Sequence, residues 1–329
     1  MASLHDVAKL AGVSKSTVSR AINDEYGVKE STKIKVRKAI EECGYVVNQV
    51  AKDLKSQKTN LIGVIVPRVS SSAVSQGVDG LSRIFEEANK HVLLANSQQN
   101  NEKEIEFIRL FNQKRVEGIL LYATHLDQDL VKVIKMSQAP VVLVGQDGSF
   151  FDIPSVIHDD NRVGFAAGQR LVDAGATKIG FIGVQSEDIA VDSMRYQGLA
   201  QALQYAGLGD PLFHSRGKFF VESGYEQMRQ LVIEHPEMDG VFCATDRIAV
   251  GAIKAILEAG KEPGKDIKVL GVGNDELGFI SRPSLSTFNY AFDSAGETSA
   301  NVLLDLIEGK QQYTSKVVLN FQAVERETC

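Results

Sequence analysis

Cysteine is scarce in this chain. Cys43, Cys243 and Cys329 lie far apart and follow no metal-ligand spacing, which argues against a disulfide framework or a zinc site and fits reduced thiols. Long apolar runs are also missing. The longest, LIGVIVP from Leu61, falls far short of the ~20 residues of a membrane span. No basic start leads into an apolar stretch, so a secretory signal is not expected and a cytoplasmic location is. Catalytic constellations are absent as well. The six histidines (His5, His91, His125, His158, His214 and His235) form no H-x-H, H-E-x-x-H or Cys/His set, and G-x-S-x-G does not occur. An enzyme needs a nucleophile–base pair or a metal cluster. The sequence therefore reads as a non-enzyme with no catalytic residue, cofactor or metal.

What is present is a soluble composition with an uneven charge. Apolar residues make up 43% and charged residues 24%, ordinary for a globular protein of two or three domains. The net charge of −6 hides a basic arm, since residues 1–60 carry eleven Lys/Arg against seven Asp/Glu. The arm is thus positive and the remainder strongly negative, a division that suits a polyanionic partner at one end.

The segment LAGVSKSTVSRAIN (residues 10–23) admits two readings. A phosphate-gripping loop requires glycine just before its lysine and six residues earlier, because side chains would block the backbone N–H groups. Ser14 and Lys9 hold those positions, and no strand precedes them. A helix-turn-helix requires an apolar helix, a glycine turn and a second helix with a polar, donor-rich face. The run from Asp6 to Asn23 supplies all three. Gly12 ends the first helix, with Leu4, Val7, Ala8, Leu10 and Ala11 near one face. Ser14 caps the second, and Val18, Ala21 and Ile22 point inward. Lys15, Ser16 and Arg20 then face base edges, while Ser14, Thr17 and Ser19 suit phosphates. ESTKIKVRKAIEECGY forms a third helix, with Ile34, Val36 or Arg37, Ala39 and Ile40 along its inner side before Gly44 stops it. NQVAKDLKSQ is a weaker fourth.

Beyond Leu61 short Val/Ile-rich runs (LIGVIVP, KHVLLAN, GILLYA, PVVLVG, SVIHD, KIGFIG, GVFCAT, IKVLGVG) alternate with amphipathic helical patterns such as EKEIEFIRLFNQK and DRIAVGAIKAILEAG. This alternation implies parallel sheets covered by helices. About nine strands exceed one such sheet, so the pattern predicts two α/β lobes with a cleft between them.

LHDVAKLAGVSKSTVSRAIN followed by STKIKVRKAIEECGYVVNQVAKDLK resembles the headpiece and hinge of the LacI/GalR repressors. The core segments VIHDDNRVGFAAGQRL, RYQGLAQAL, ESGYEQM, FCATDRIAVGAIKAI and RPSLSTF follow in family order. The resemblance implies an all-α helix-turn-helix headpiece (1–46), a hinge helix and linker (47–59) and a periplasmic-binding-protein-like core of two doubly wound parallel-sheet lobes (60–329). The N-lobe takes 60–159 and 291–318, the C-lobe 160–290 and 319–329. By this likeness Lys15 and Ser16 are the base-reading pair and Arg20 the major-groove arginine. Ser14, Thr17, Ser19, Asn23 and Thr32 match phosphate-side positions. Leu54 matches a minor-groove wedge, with Lys55 beside it; packing of Leu54 within its own helix is the alternative. Val47 stands where many members have proline before the hinge helix.

The effector positions implied by the resemblance are Asp159 or Asp160, Arg195, Phe219, Thr245, Asp246, Asn274 or Asp275, and Phe292. Ser70, Ser71 and Gln76 follow the first strand and add possible contacts. Carboxylates and arginine make forked bonds to vicinal hydroxyls, while an aromatic ring covers a sugar's apolar face. Asp160 and Asp246 can equally be helix caps. The resemblance thus implies a repressor bound as a homodimer to pseudo-palindromic double-stranded operator DNA. It would act on a sugar-utilisation operon, sucrose ahead of trehalose, and answer to a small sugar (sucrose, fructose or a phosphorylated sugar), with a neutral sugar favoured. No leucine heptads trail the core, which favours a dimer over a tetramer. A sugar-binding protein without DNA affinity is the alternative from another class. Arg68, after the first strand, faces either a phosphate or water.

Overall fold

A computed structural model describes residues 2–45, 59–185, 188–310 and 315–329. Residues 1–59 and 60–329 form two compact units. Leu54, Lys55, Val47 and the fourth helix candidate lie outside the described residues.

The first unit is a three-helix bundle: α1 (Leu4–Ala11), α2 (Lys15–Ile22) and α3 (Glu30–Cys43). Its core is small, with Val7, Ala8, Val18, Ala21, Val36 and Ala39 buried together. Ser3 and Asp6 form a reciprocal capping box at the start of α1, and Gly12 ends the helix at φ 66°. That left-handed turn strains any residue with a Cβ. Two expected core residues are in fact exposed, Leu10 at 51% and Ile34 at 57%. Helical spacing explains both: Leu10 sits well off the Val7–Ala8–Ala11 stripe, and Ile34 lies opposite Val36 on α3.

In the second unit the N-lobe holds β1 (Leu61–Val66), α4 (Ser72–Glu87), β2 (His91–Asn96), α5 (Asn101–Gln113), β3 (Gly118–Leu121), α6 (Gln128–Lys135), β4 (Val141–Val144) and β5 (Ser155–His158). The C-lobe begins with α7 (Asp160–Asp173) and continues through β6 (Ile179–Gly183), α8 (Arg195–Tyr205), β7 (His214–Arg216), α9 (Val221–Glu234), β8 (Gly240–Cys243), α10 (Asp246–Glu258), β9 (Lys268–Val272), α11 (Glu276–Ile280) and β10 (Ser286–Asn289). The chain then returns to the N-lobe for α12 (Phe292–Ile307) and β11 (Lys316–Leu319), and crosses back for β12 (Gln322–Val324).

The N-lobe sheet runs β11-β5-β4-β3-β1-β2 and the C-lobe sheet β12-β10-β9-β8-β6-β7. Every pairing is parallel except β10 with β12. An edge strand can reverse because only one side is hydrogen-bonded. β7, β10, β11 and β12 are additional to the eight runs read from sequence. β7 and β12 are three-residue edge strands carrying polar side chains, too short and mixed to stand out as apolar runs. The N-lobe core lies in two layers, one on each face of its sheet, while the C-lobe core is continuous. Three crossings, after β5, β10 and β11, join the lobes.

Helix pairs dock through glycine. A Cβ on Gly198 of α8 would lie 1.9 Å from the Asn161 carbonyl oxygen of α7, and one on Gly164 would lie 2.1 Å from that of Arg195. The two backbones therefore touch where Asp160 and Arg195 begin their helices.

Candidate DNA interface and effector pocket

In the headpiece, Ser14 caps α2 by accepting from the Thr17 N–H at 3.1 Å. Its hydroxyl also lies 2.7 Å from that of Ser16 and 2.8 Å from that of Thr17. Hydroxyls thus cluster at the positive end of the helix, a place that suits phosphate oxygens. Lys15, Ser16 and Arg20 are exposed, and Thr17 and Ser19 are partly so. Arg20 is held from one side: Nη2 donates to the Tyr26 carbonyl at 2.7 Å, and Nε stands 3.6 Å from Glu25. Asn23 ends α2, its N–H donating to Ser19 O at 3.1 Å, and the Thr32 N–H caps back to Lys29 O.

Within the second unit a pocket opens between the lobes at the carboxyl ends of the strands, where open α/β sheets bind ligands. The N-lobe side is formed by Pro67, Arg68, Ser71–Val74, Gln99, Ala123 and Thr124. Asp188, Val191, Arg195, Phe219, Thr245–Arg247, Val272, Gly273, Asp275 and Phe292 complete it. Ser71, Arg195, Phe219, Thr245, Asp246, Asp275 and Phe292 thus share one cavity.

Five of the expected effector residues do not line it. Ser70 is exposed, and Gln76, one turn along α4, donates to the Ser72 hydroxyl at 3.1 Å. Asp159 caps α7 through the Arg162 N–H at 3.0 Å. Asp160 is buried behind the wall, accepting from Arg195 at 2.7 Å and from the Tyr290 hydroxyl at 2.9 Å. Asn274 turns away to accept from Arg326 at 2.6 Å.

The lining is electrostatically organised. Burial opposes the charge on Arg195, but the adjoining Asp160 carboxylate outweighs it and holds the guanidinium protonated; a further N–H donates to the Ala244 carbonyl. Asp246 accepts from the Thr287 hydroxyl at 2.5 Å and from the Asp275 N–H at 2.7 Å. Burial still pushes it up to about 6. Asp275 caps α11 and accepts from Arg247 at 3.1 Å.

Asp188 carries a direct hydrogen bond between facing walls. Gln146 of the N-lobe donates to its Oδ1 at 2.9 Å and to Thr124 O at 3.1 Å. Burial raises Asp188 to about 6. Arg68 crosses the same gap, its guanidinium 4.6 Å from the Phe219 ring centre.

Sequence reasoning missed Gln99, Thr124, Asp188 and Arg247. Thr124 and Arg247 follow strand ends, where ligand contacts concentrate, so position alone could have found them. Asp188 lies before an irregular wide turn, 189–194, with no periodicity to expose it. Among the described residues no group of His, Cys, Asp or Glu could hold a metal ion, and no helix is long and apolar enough to cross a membrane.

Residues 3–48 match the bacterial regulatory proteins of the lacI family, and residues 169–329 match a periplasmic binding protein-like domain. The HTH-type transcriptional regulator RegA of Clostridium saccharobutylicum is 32% identical, over 99% of this chain and 98% of that one. The sucrose operon repressor of Staphylococcus xylosus is 33% identical over 94% of each. Among solved structures, a lac repressor dimer bound to operator and the anti-inducer ONPF superposes with a TM-score of 0.92 at 28% identity. That alignment covers 99% of this chain and 98% of that one. These relatives are regulators, not enzymes. With a helix-turn-helix unit, a two-lobed core and near full-length relatives in hand, the chain belongs to the LacI family of bacterial regulatory proteins.

Proposed function

We propose that the protein is a cytoplasmic, homodimeric repressor of a sugar-utilisation operon, that of sucrose, released from its operator by a sugar held between the core lobes. Lys15, Ser16 and Arg20 read base edges. Ser14, Thr17, Ser19, Asn23 and Thr32 fix register on phosphates. Leu54 and Lys55 act at the operator centre. The observation that carries the reading is the pairing of two separate devices in one chain: a polar helix on its own small core, and a cleft with buried Arg195 and Asp246 in its wall. Arg195, Asp246, Asp275 and Thr245 address sugar hydroxyls, and Phe219 and Phe292 the ring faces.

Two measurements test this. Fluorescence anisotropy on duplexes selected from a random pool should give a pseudo-palindromic site, from which sucrose or a related sugar displaces the protein. A coupling of ~1–3 kcal/mol corresponds to ~5–150-fold weaker operator binding. Removing residues 1–58 should abolish DNA binding and leave sugar binding intact. Full-length protein that binds sugar yet ignores every duplex at low salt is instead a sugar-binding protein of another class.

A further inference from the structure

We propose that the effector is an anionic sugar, a phosphate ester above all, and that Arg68 selects it. The inference rests on the sugar-binding reading above and deepens it. Among the described residues Arg68 is the charged side chain of the pocket wall left without a hydrogen bond or ion pair. Arg195 is matched by Asp160 and Arg247 by Asp275, while Asp188 and Asp246 each accept two hydrogen bonds.

The Arg68 guanidinium carbon stands over C-lobe aromatics, 4.6 Å from the Phe219 ring centre and 5.4 Å from that of Phe220. A cation–π contact takes up none of a guanidinium's N–H donors, and those donors are the groups that grip oxyanions. Its Nε is buried with no partner, and so is the Thr124 hydroxyl on the same wall. Orphaned buried donors are rare in folded proteins and point to a missing acceptor. The sixteen-residue α4 also begins in this wall, at Ser72 and Ala73. Ser71 caps the Val74 N–H, the N–H groups of Ser72 and Ala73 have no acceptor within the helix, and the helix dipole is positive at that end. A neutral sugar would leave the cation facing only hydroxyls; a phosphate takes the charge and the free donors together.

Calorimetric titration of the full-length protein decides the matter. The probes are sucrose and fructose, their 6-phosphates, gluconate as a sugar acid, and inorganic phosphate. Wild type should bind the phosphate esters about tenfold or more tighter than the parent sugars, the lower range for a charge-assisted hydrogen bond. Arg68→Gln should weaken the phosphate esters about tenfold more than the parent sugars and so remove that preference, and Arg68→Lys should restore part of it. A preference for gluconate over neutral sugars, lost in Arg68→Gln, also supports an anionic effector and names carboxylate as the source. Equal binding of neutral and phosphorylated sugars overturns the proposal. So does an Arg68→Gln variant that keeps the preference, or one that weakens all sugars alike, which would make Arg68 a lobe latch only. Inorganic phosphate binding as tightly as the esters would show an adventitious ion only. Failure of every sugar, with operator binding retained, sinks the sugar reading itself and this proposal with it.

Discussion

Glu104 has no place in the pocket, yet burial leaves its carboxyl able to titrate near neutral pH. It is fully buried in the N-lobe, with one oxygen 3.3 Å from the Ser97 hydroxyl and the other unpartnered. Burial raises it to about 7. Because the folded value lies above the unfolded one, its contribution to stability is full below the unfolded pKa, near ~4.3, and is lost as pH rises through 7. Glu104→Gln should therefore leave stability at pH 4.5 nearly unchanged and raise it at pH 8 by roughly 1–3 kcal/mol. Urea denaturation across that range checks this, and parallel profiles for the two proteins would refute it. Arg20 gives a second test at this scale. Arg20→Ala should weaken operator binding by about 1–3 kcal/mol and relax base preference at one position per half-site. Equal weakening on all duplexes would instead make Arg20 a phosphate contact.

At the scale of elements, the glycine contacts between helices set the spacing of the pocket wall. Ala at position 198 would place a methyl carbon 1.9 Å from the Asn161 carbonyl oxygen, so α7 and α8 must separate. Overpacking of this kind costs about 1–3 kcal/mol. It should also pull Arg195 from Asp160, since each begins one of the two helices. Gly198→Ala should thus lose stability and sugar affinity together; lower stability with unchanged affinity would break the link.

Elements of this sort were unevenly legible in the sequence. The strands β1, β3 to β6, β8 and β9 were visible because each is a buried apolar run. β2 was visible because its Val-Leu-Leu stretch stands out although it is an exposed to half-buried edge, and α2 because Ser14 and the Val18–Ala21 spacing mark its cap and face. Strand ends located Thr245 and Asp246 for the same reason. The Asp160–Arg195 pair was half legible: both residues were named, but not that one stands behind the other, since burial depth leaves no trace in spacing. Asn274 and Asp275 are adjacent in sequence and face opposite ways, because Asn274 takes a left-handed turn at φ 54°. Asp188 depends on an interlobe partner, Gln146, 42 positions earlier, and only tertiary structure supplies that.

At the scale of the molecule, the lobes are joined by three crossings and bridged across the cleft by the hydrogen bond from Gln146, itself anchored on Thr124 O of its own lobe, to Asp188. Such a bridge contributes to one lobe angle and not to others, so it weights the balance between lobe arrangements. A ligand shifts that balance only by the difference in its affinity for the two states. On the repressor reading, operator and sugar favour different arrangements, and each must weaken the other by the same factor. Gln146→Ala removes the hydrogen bond that spans the bridged form, worth about 0.5–1.5 kcal/mol, and leaves the Asp188 carboxylate buried with a lone backbone partner, Val191. If the bridged form is the sugar-bound one, the variant should bind sugar more weakly and operator more tightly; if it is the operator-bound one, both signs reverse. Titrating sugar with and without operator, and operator with and without sugar, yields the coupling factor twice for each protein. The two values should agree for wild type and again for Gln146→Ala. Sugar and operator affinities that move in the same direction in the variant would show that the bridge stabilises the fold without weighting the switch.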